Sequence, residues 1–372
     1  MKLKDFELER YFARHEFKAP YLLCCSDCES FTAGEILEAA GENALESFRS
    51  LRLGYTESRG NPFLRQQIAD LYPDISPEDV LVTAGAEEAI FIFMNAALKP
   101  GDHIIVQYPC YQSLSEIASS IGCAVTRWEC DEEKGWEPDL NLLEENIKEN
   151  TRAIIINSPH NPTGYLMPAG MFESVAQIAR QKGIIVFSDE VYRFLEYDWR
   201  DRHPSACEIY ENAVSLGVMS KSYGLPGLRI GWVATRNTQL YRKMASFKDY
   251  TSICSSAPSE FLASCALSRG PGLIGRNLDI IKENLAVLDL FFSRYDSLFS
   301  WRRPKAGPIA FPELKGETGA GQFCLDLLNS TGVLLLPGSC YHFGDRHFRI
   351  GFGRKNMPEC VSRLEEFILA RR

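Results

Sequence analysis

No apolar run in the chain approaches the roughly 18 residues needed to cross a bilayer. The longest, Ala89 to Leu98, is interrupted by Asn95. No membrane partner is therefore expected. Met1 to Arg10 carries charges of both signs around no apolar stretch, so no signal or transit peptide is expected and the location is expected to be cytoplasmic. Positive charge is in short supply: 40 Lys and Arg against 49 Asp and Glu leave a formal net charge of -9. An acidic surface repels phosphate backbones, which argues against nucleic acid as a partner. Repeats, low-complexity tracts and long linkers are also missing. Cysteine is not scarce, but the 12 residues are scattered through 372, as reduced core thiols are rather than a disulfide framework. The cluster Cys24-Cys25-Ser26-Asp27-Cys28 offers three sulfurs, two of them adjacent, and no second C-x-x-C, so no metal is expected there.

What is present is a large core. The chain is 45% hydrophobic, and its length suits two domains. Continuous aliphatic runs recur at Val80 to Thr83, His103 to Gln107, Ala153 to Asn157 and Ile184 to Ser188. They lack period-two alternation, as strands buried on both faces should. Helical patterns fall between them, at Glu87 to Leu98 and Gly170 to Arg180. The alternation predicts an α/β fold with a mostly parallel sheet covered by helices, and ligands at the carboxyl ends of its strands. The loops there hold Gly85-Ala86, Tyr111, Asn161, Asp189 and Lys221. From about Ser259 the texture changes. A long helical stretch, Leu273 to Tyr295, precedes short strands and Gly/Pro-rich turns, which predicts a second, smaller α+β domain.

The chemistry is concentrated in Ser220-Lys221-Ser222-Tyr223-Gly224-Leu225-Pro226-Gly227-Leu228-Arg229-Ile230-Gly231. A lysine follows the apolar run Ala213 to Met219, and Arg229 heads a second run, Ile230 to Ala234. Alone, a loop lysine is a surface residue. Between two buried strands it makes sense as an amine that forms a Schiff base with a carbonyl cofactor, with the arginine taking a phosphate. Asp189 ends a buried strand, where an acid needs a positive partner such as a protonated pyridine nitrogen; a helix N-cap is the plainer alternative. Asn161 lies in Asn161-Pro162-Thr163-Gly164, which is also good turn chemistry. Arg349 sits inside the apolar run His347 to Phe352 and needs an anion, either a substrate carboxylate or a structural ion pair. Thr83 to Ala89 reads as a strand, a glycine turn and a helix start, the usual seat of a phosphate.

The lysine segment, with Asn161 lying 28 residues before Asp189 and 60 before Lys221, resembles the fold-type I pyridoxal-phosphate enzymes of aminotransferase class I/II. The resemblance runs from about Tyr55 to Phe352. It implies a three-layer large domain at 45–258, and a small domain built from both chain ends, 1–44 with 259–372. It implies pyridoxal 5'-phosphate as cofactor, Lys221 as the catalytic residue, Asp189 on the ring nitrogen, and Tyr192 with Asn161 on the phenolate oxygen. Tyr111 would stack on the ring, although an ordinary core tyrosine is the alternative. Gly85, Ala86, Glu87, Ser220 and Arg229 would hold the phosphate, and Arg349 with Asn161 the substrate carboxylate. Tyr55 would reach the phosphate of a neighbouring subunit, making the protein a homodimer with a shared site. Two positions depart from the pattern: Val218 where a hydroxyl is usual, and Glu87 where a small polar residue is usual, so that Glu87 is expected to offer only its backbone amide.

The expected activity is transfer of an amino group from an L-amino acid to a 2-oxo acid. The alternative is a lyase, cyclase or oxidase on the same scaffold. Asp27 or Glu29 could favour a basic, arginine-like substrate. They could equally belong to capping of a helix over Ala33 to Ala40, with Ser30 or Thr32 as the cap. A regulatory binding module would need an added DNA-binding domain, for which the chain has neither the room nor a basic region.

Overall fold

The structure, a computed structural model, describes residues 2–371. Its centre is an eight-stranded sheet. From one edge the strands are Val80–Thr83, Gly231–Ala234, Ala213–Val218, Ile185–Asp189, Thr151–Asn157, His103–Tyr108, Ala124–Asp131 and Glu137–Pro138. Gly231–Ala234 runs antiparallel to both neighbours, and Glu137–Pro138 is antiparallel at the far edge. The remaining strands are parallel.

The aliphatic runs explain this arrangement. Every residue of His103–Tyr108, Ile185–Asp189 and Ala213–Val218 is buried, because helices cover both faces. Alternate side chains then serve opposite cores. Ile155 and Phe187 pack with Phe93 of the helix Ala86–Ala97. Ile154, Ile156 and Val186 pack with Phe172 and Val175 of the helix Ala169–Lys182. The Phe93 and Phe187 ring centroids are 4.4 Å apart. Burying each such side chain contributes about 1.5–3 kcal/mol. The helix Ala169–Lys182 stops at Gly183, which takes the left-handed conformation that closes a helix at low cost.

A 25-residue helix, Gly270–Arg294, leads away from the sheet. Beyond it a three-stranded antiparallel sheet forms from Ile309–Ala310, Phe348–Gly351 and Leu336–Pro337. The start of the chain joins this region. Tyr21–Leu22 pairs with Val333–Leu334, Leu23 N donates to Leu334 O at 3.0 Å, and Gly351 N donates to Leu23 O at 2.9 Å. Residues 24–28 are thereby carried across to the large sheet. Thr32 caps the helix Ala33–Ala40 in a reciprocal capping box with Glu35, so the capping alternative for this stretch is realised. The twelve cysteines are free thiols, all buried except Cys254 and Cys265. No helix among the described residues is long and apolar enough to cross a membrane.

Candidate active site

Strand register brings the predicted residues together. Asn157 pairs with Asp189, and Asp189 with Leu216, so three strands end nearly level and their loops open on the same edge. Gly231 lies opposite both Thr83 and Val218. Its strand is antiparallel, so its amino end, carrying Arg229, faces the edge where its neighbours have their carboxyl ends. A cavity of about 420 Å³ lies there, large enough for a small cofactor and its substrate. Ala86, Glu87, Tyr111, Asn161, Asp189, Tyr192, Ser220, Lys221, Arg229 and Arg349 all line it. Gly85 is not among the lining residues, although it lies against Arg229, which is. Tyr55 lies elsewhere and is 95% exposed.

The Lys221 amine donates to Ser26 Oγ at 2.9 Å and lies 5.9 Å from the centre of the Tyr192 ring. Burial pushes its pKa below the ordinary lysine value, and the Arg349 charge works the same way against the opposing pull of Asp27 and Asp189. A neutral amine is the nucleophilic form. Asp189 is 5% exposed and accepts one bond, from Val191 N at 3.2 Å. The chain enters a turn at 191–194, so Asp189 caps no helix. No cation among the described residues pairs with it, and burial pushes its carboxyl up to about 7. Tyr192 donates its hydroxyl to Ser26 O at 3.0 Å.

The opposite end is built for an anion. Gly85 has φ +86° and ψ 177°, a conformation confined to glycine, and turns the strand Val80–Thr83 into the helix Ala86–Ala97. That helix has no side-chain cap, so its first amides are left for a ligand. A Cβ on Gly85 would lie 2.5 Å from Arg229 Nη2, and one on Gly231 would lie 2.7 Å from the Gly85 carbonyl carbon. Backbone and guanidinium meet with no space between them. Arg229 Nη1 donates to Pro226 O at 3.3 Å and to Ser220 Oγ at 3.5 Å, and among the described residues it has no carboxylate partner. Glu87 does more than the sequence suggested. Its side chain accepts from Ser113 Oγ at 3.0 Å, and burial pushes the carboxyl up to about 7.

Arg349, 1% exposed, forms the third pole. Its Nε and Nη2 donate to Cys24 O at 3.1 and 2.9 Å. Its Nη1 donates to Tyr341 Oη at 2.6 Å and to Asn161 Oδ1 at 3.3 Å. The Tyr341 hydroxyl in turn donates to Asn161 Oδ1 at 2.8 Å. No carboxylate pairs with this guanidinium among the described residues, so the structural ion pair considered above is not formed. Asn161 itself is held through its backbone amide, which donates to Asn157 Oδ1 at 2.7 Å.

Several site residues gave no motif. Ser26 reaches Lys221 only because the chain start crosses between the sheets, and Tyr341 arrives on the turn Gly338–Tyr341. The helix Glu7–His15 supplies Leu8, Glu9 and Phe12 to the cavity wall, followed by Glu16. The amphipathic spacing of Leu8, Tyr11 and Phe12 was its one signal. Tyr111 donates to Glu9 Oε1 at 2.7 Å and packs against Phe6, 4.9 Å between ring centroids. Asp27 lines the cavity but is gripped by Arg354 through two bonds, of 3.2 and 2.9 Å. Glu29 points elsewhere and accepts from Lys355 N.

These features suit pyridoxal phosphate: a buried lysine amine, its pKa lowered, for its aldehyde, a buried carboxyl without a cation for its ring nitrogen, and an uncapped helix start beside an arginine without a carboxylate partner for its phosphate. The comparisons agree. Residues 21–364 match the model of the family "Aminotransferase class I and II". Capreomycidine synthase of Streptomyces vinaceus is 30% identical over 94% of this chain and 88% of its own length. The crystal structure of a PLP-dependent aminotransferase from Streptococcus suis superposes with a TM-score of 0.94 at 34% identity, covering 100% of this chain and 99% of that one. The PLP-dependent cyclase OrfR superposes with a TM-score of 0.90 at 27% identity, over 100% and 99% of the two chains. The chain belongs to the class I and II aminotransferase family, has the fold-type I architecture, and uses pyridoxal phosphate as its cofactor.

Proposed function

We propose that the protein is an aminotransferase that moves an amino group from an L-amino acid to a 2-oxo acid. The observation that carries this reading is the placement of Lys221, Asp189 and Arg349 around one cavity. Pyridoxal phosphate, when bound, supplies an electrophilic aldehyde and an electron-withdrawing ring. Lys221 would hold the aldehyde and Asp189 the ring nitrogen, with Tyr192 and Asn161 on the phenolate oxygen and Tyr111 on the ring face. The amides of Gly85, Ala86 and Glu87, with Ser220 and Arg229, would hold the phosphate. Arg349 and Asn161 bind the substrate carboxylate and so orient the Cα–H bond. Lys221 Nζ, its pKa lowered by burial, would take the Cα proton and later return one.

The division of labour follows the chain. Residues 45–258 form the cofactor-binding unit, and 1–44 with 259–372 form the smaller unit that delivers Arg349. The exposed Tyr55 completes the site of a second subunit in a homodimer.

A second reading is favoured by the likeness to capreomycidine synthase and to the cyclase OrfR. On that reading the same residues carry out elimination, cyclisation or oxidation of an amino acid. One experiment tests both. The purified protein should be yellow, and borohydride should trap the cofactor on Lys221 but not on Lys221→Ala. A trapped adduct in the variant rejects the assignment. When single amino acids are then added without a 2-oxo acid, a transaminase stops in its amino form. A cofactor spectrum that returns to its starting form, or uptake of oxygen, rejects transamination.

A further inference from the structure

We infer that the amino acid bound at this site carries a cationic side chain, and that Glu16 is the residue that selects it. This rests on the reading of the cavity as an amino acid site with Arg349 on the substrate carboxylate.

With both reacting ends assigned, the wall left for the substrate side chain includes the chain-start helix and the residue after it, Leu8, Glu9, Phe12 and Glu16, together with Cys25 and Asp27. The charge inventory of this wall is one-sided. The cations that line the cavity among the described residues are Lys221, Arg229 and Arg349. The first is pushed towards neutrality, the second belongs to the phosphate end, and the third takes the substrate carboxylate. None is left for the second carboxylate of an acidic amino acid.

The carboxylates differ in how far they are already engaged. Asp27 is neutralised by Arg354. Glu87 is bonded to Ser113, and Glu9 accepts the Tyr111 hydroxyl on one oxygen. Among the described residues the Glu16 side chain has no hydrogen-bond or ion-pair partner, although it is half-buried in the cavity wall. Burial pushes its pKa upward; of the two cations acting against this, Arg354 is already committed to Asp27, and Arg349, the weaker of the two, is the one assigned to the substrate carboxylate. A half-desolvated carboxylate without a partner is unfavourable. A guanidinium or ammonium group would relieve it, with an aliphatic stem laid over Leu8 and Phe12.

The test is a titration of the cofactor-loaded protein with pairs of amino acids that differ in side-chain charge. L-Arginine is compared with its neutral near-isostere L-citrulline, and L-lysine with L-norleucine, with L-aspartate as the acidic case. Binding is followed by calorimetry and by the cofactor absorbance. L-Arginine should bind roughly tenfold more tightly than L-citrulline, the size of one charge-assisted hydrogen bond. Glu16→Gln should narrow that ratio to about twofold, and Glu16→Asp should restore part of it. Equal affinity for the charged and neutral members in the parent protein overturns the substrate class. A ratio that survives Glu16→Gln overturns the role of Glu16. If no amino acid perturbs the cofactor spectrum and borohydride traps nothing on Lys221, the failure lies instead in the underlying reading of the site.

Discussion

Three carboxyl groups are held in surroundings that disfavour their charge. Asp189, Glu87 and Glu260 are each pushed up to about 7, in every case chiefly by burial. The unfolded chain titrates these groups near 4. Between about pH 4 and about pH 7 these three groups therefore hold more protons in the folded protein than in the unfolded one, and their effect is to lower stability as pH rises through that window, while His160 and His203, pushed below the ordinary histidine value by burial, act in the opposite sense. The expectation concerns the cofactor-free protein, where Asp189 has no cation to pair with. Asp189→Asn should make the melting temperature fall less, or rise more, between pH 4 and 7 than it does in the parent. Two superimposable pH profiles would mean that Asp189 is not protonated by its surroundings. Arg349 is handled differently at the same depth. Its N–H groups are spread over a carbonyl, a phenol and an amide, all neutral acceptors. Its charge is solvated but not cancelled, which leaves a full positive field for an incoming carboxylate.

Among the elements, the strand-to-helix turn at Gly85 is tightly constrained. Its backbone conformation disfavours any side chain, and a Cβ there would displace the Arg229 guanidinium. Gly85→Ala should cost about 1–3 kcal/mol of stability through backbone strain alone. It should also weaken cofactor binding at least about tenfold, because the guanidinium must move away from the anion seat. Titration of the apoprotein with pyridoxal phosphate checks this, and unchanged affinity would remove the turn from the phosphate site. Local elements of this kind were legible in the sequence. The strand Val80–Thr83 and the helix Ala33–Ala40 occur with the predicted bounds. The helix predicted over Gly170 to Arg180 extends to Ala169–Lys182, a difference of one residue at one end and two at the other. Continuous β-branched runs, glycine turns and capping residues act over a few positions, so their consequences can be read without the rest of the chain.

At the scale of the molecule the readable part thins out. Lys221 meets Ser26 across 195 positions, Tyr341 meets Asn161 across 180, and Arg349 meets Cys24 across 325. Asp189, Asn161 and Lys221 were visible because each sits in a short motif at a strand end. Ser26, Tyr341 and Glu16 were not, because nothing local distinguishes them and only the completed fold makes them neighbours. The proposed homodimer adds one more separation, between Tyr55 of one subunit and the phosphate end of the other. Mixing subunits tests it. Lys221→Ala and Tyr55→Ala homodimers should each be impaired. Refolding them together in equal amounts should restore about a quarter of the parent sites, since half the dimers are mixed and each holds one intact site. No recovery would place Tyr55 outside the neighbouring site.

The short thread Cys24–Asp27 is touched from four directions: Lys221 and Tyr192 at Ser26, Arg349 at Cys24, and Arg354 at Asp27. Its bonding partners lie far along the chain, 166 and 195 positions on for Tyr192 and Lys221, and 325 and 327 for the two arginines. The guanidinium of Arg349 is fixed only where the thread at Cys24 is laid against it. The orientation of Arg349 is therefore set by a contact between distant parts of the sequence, and a shift of this one thread would disturb Lys221 and both arginines together.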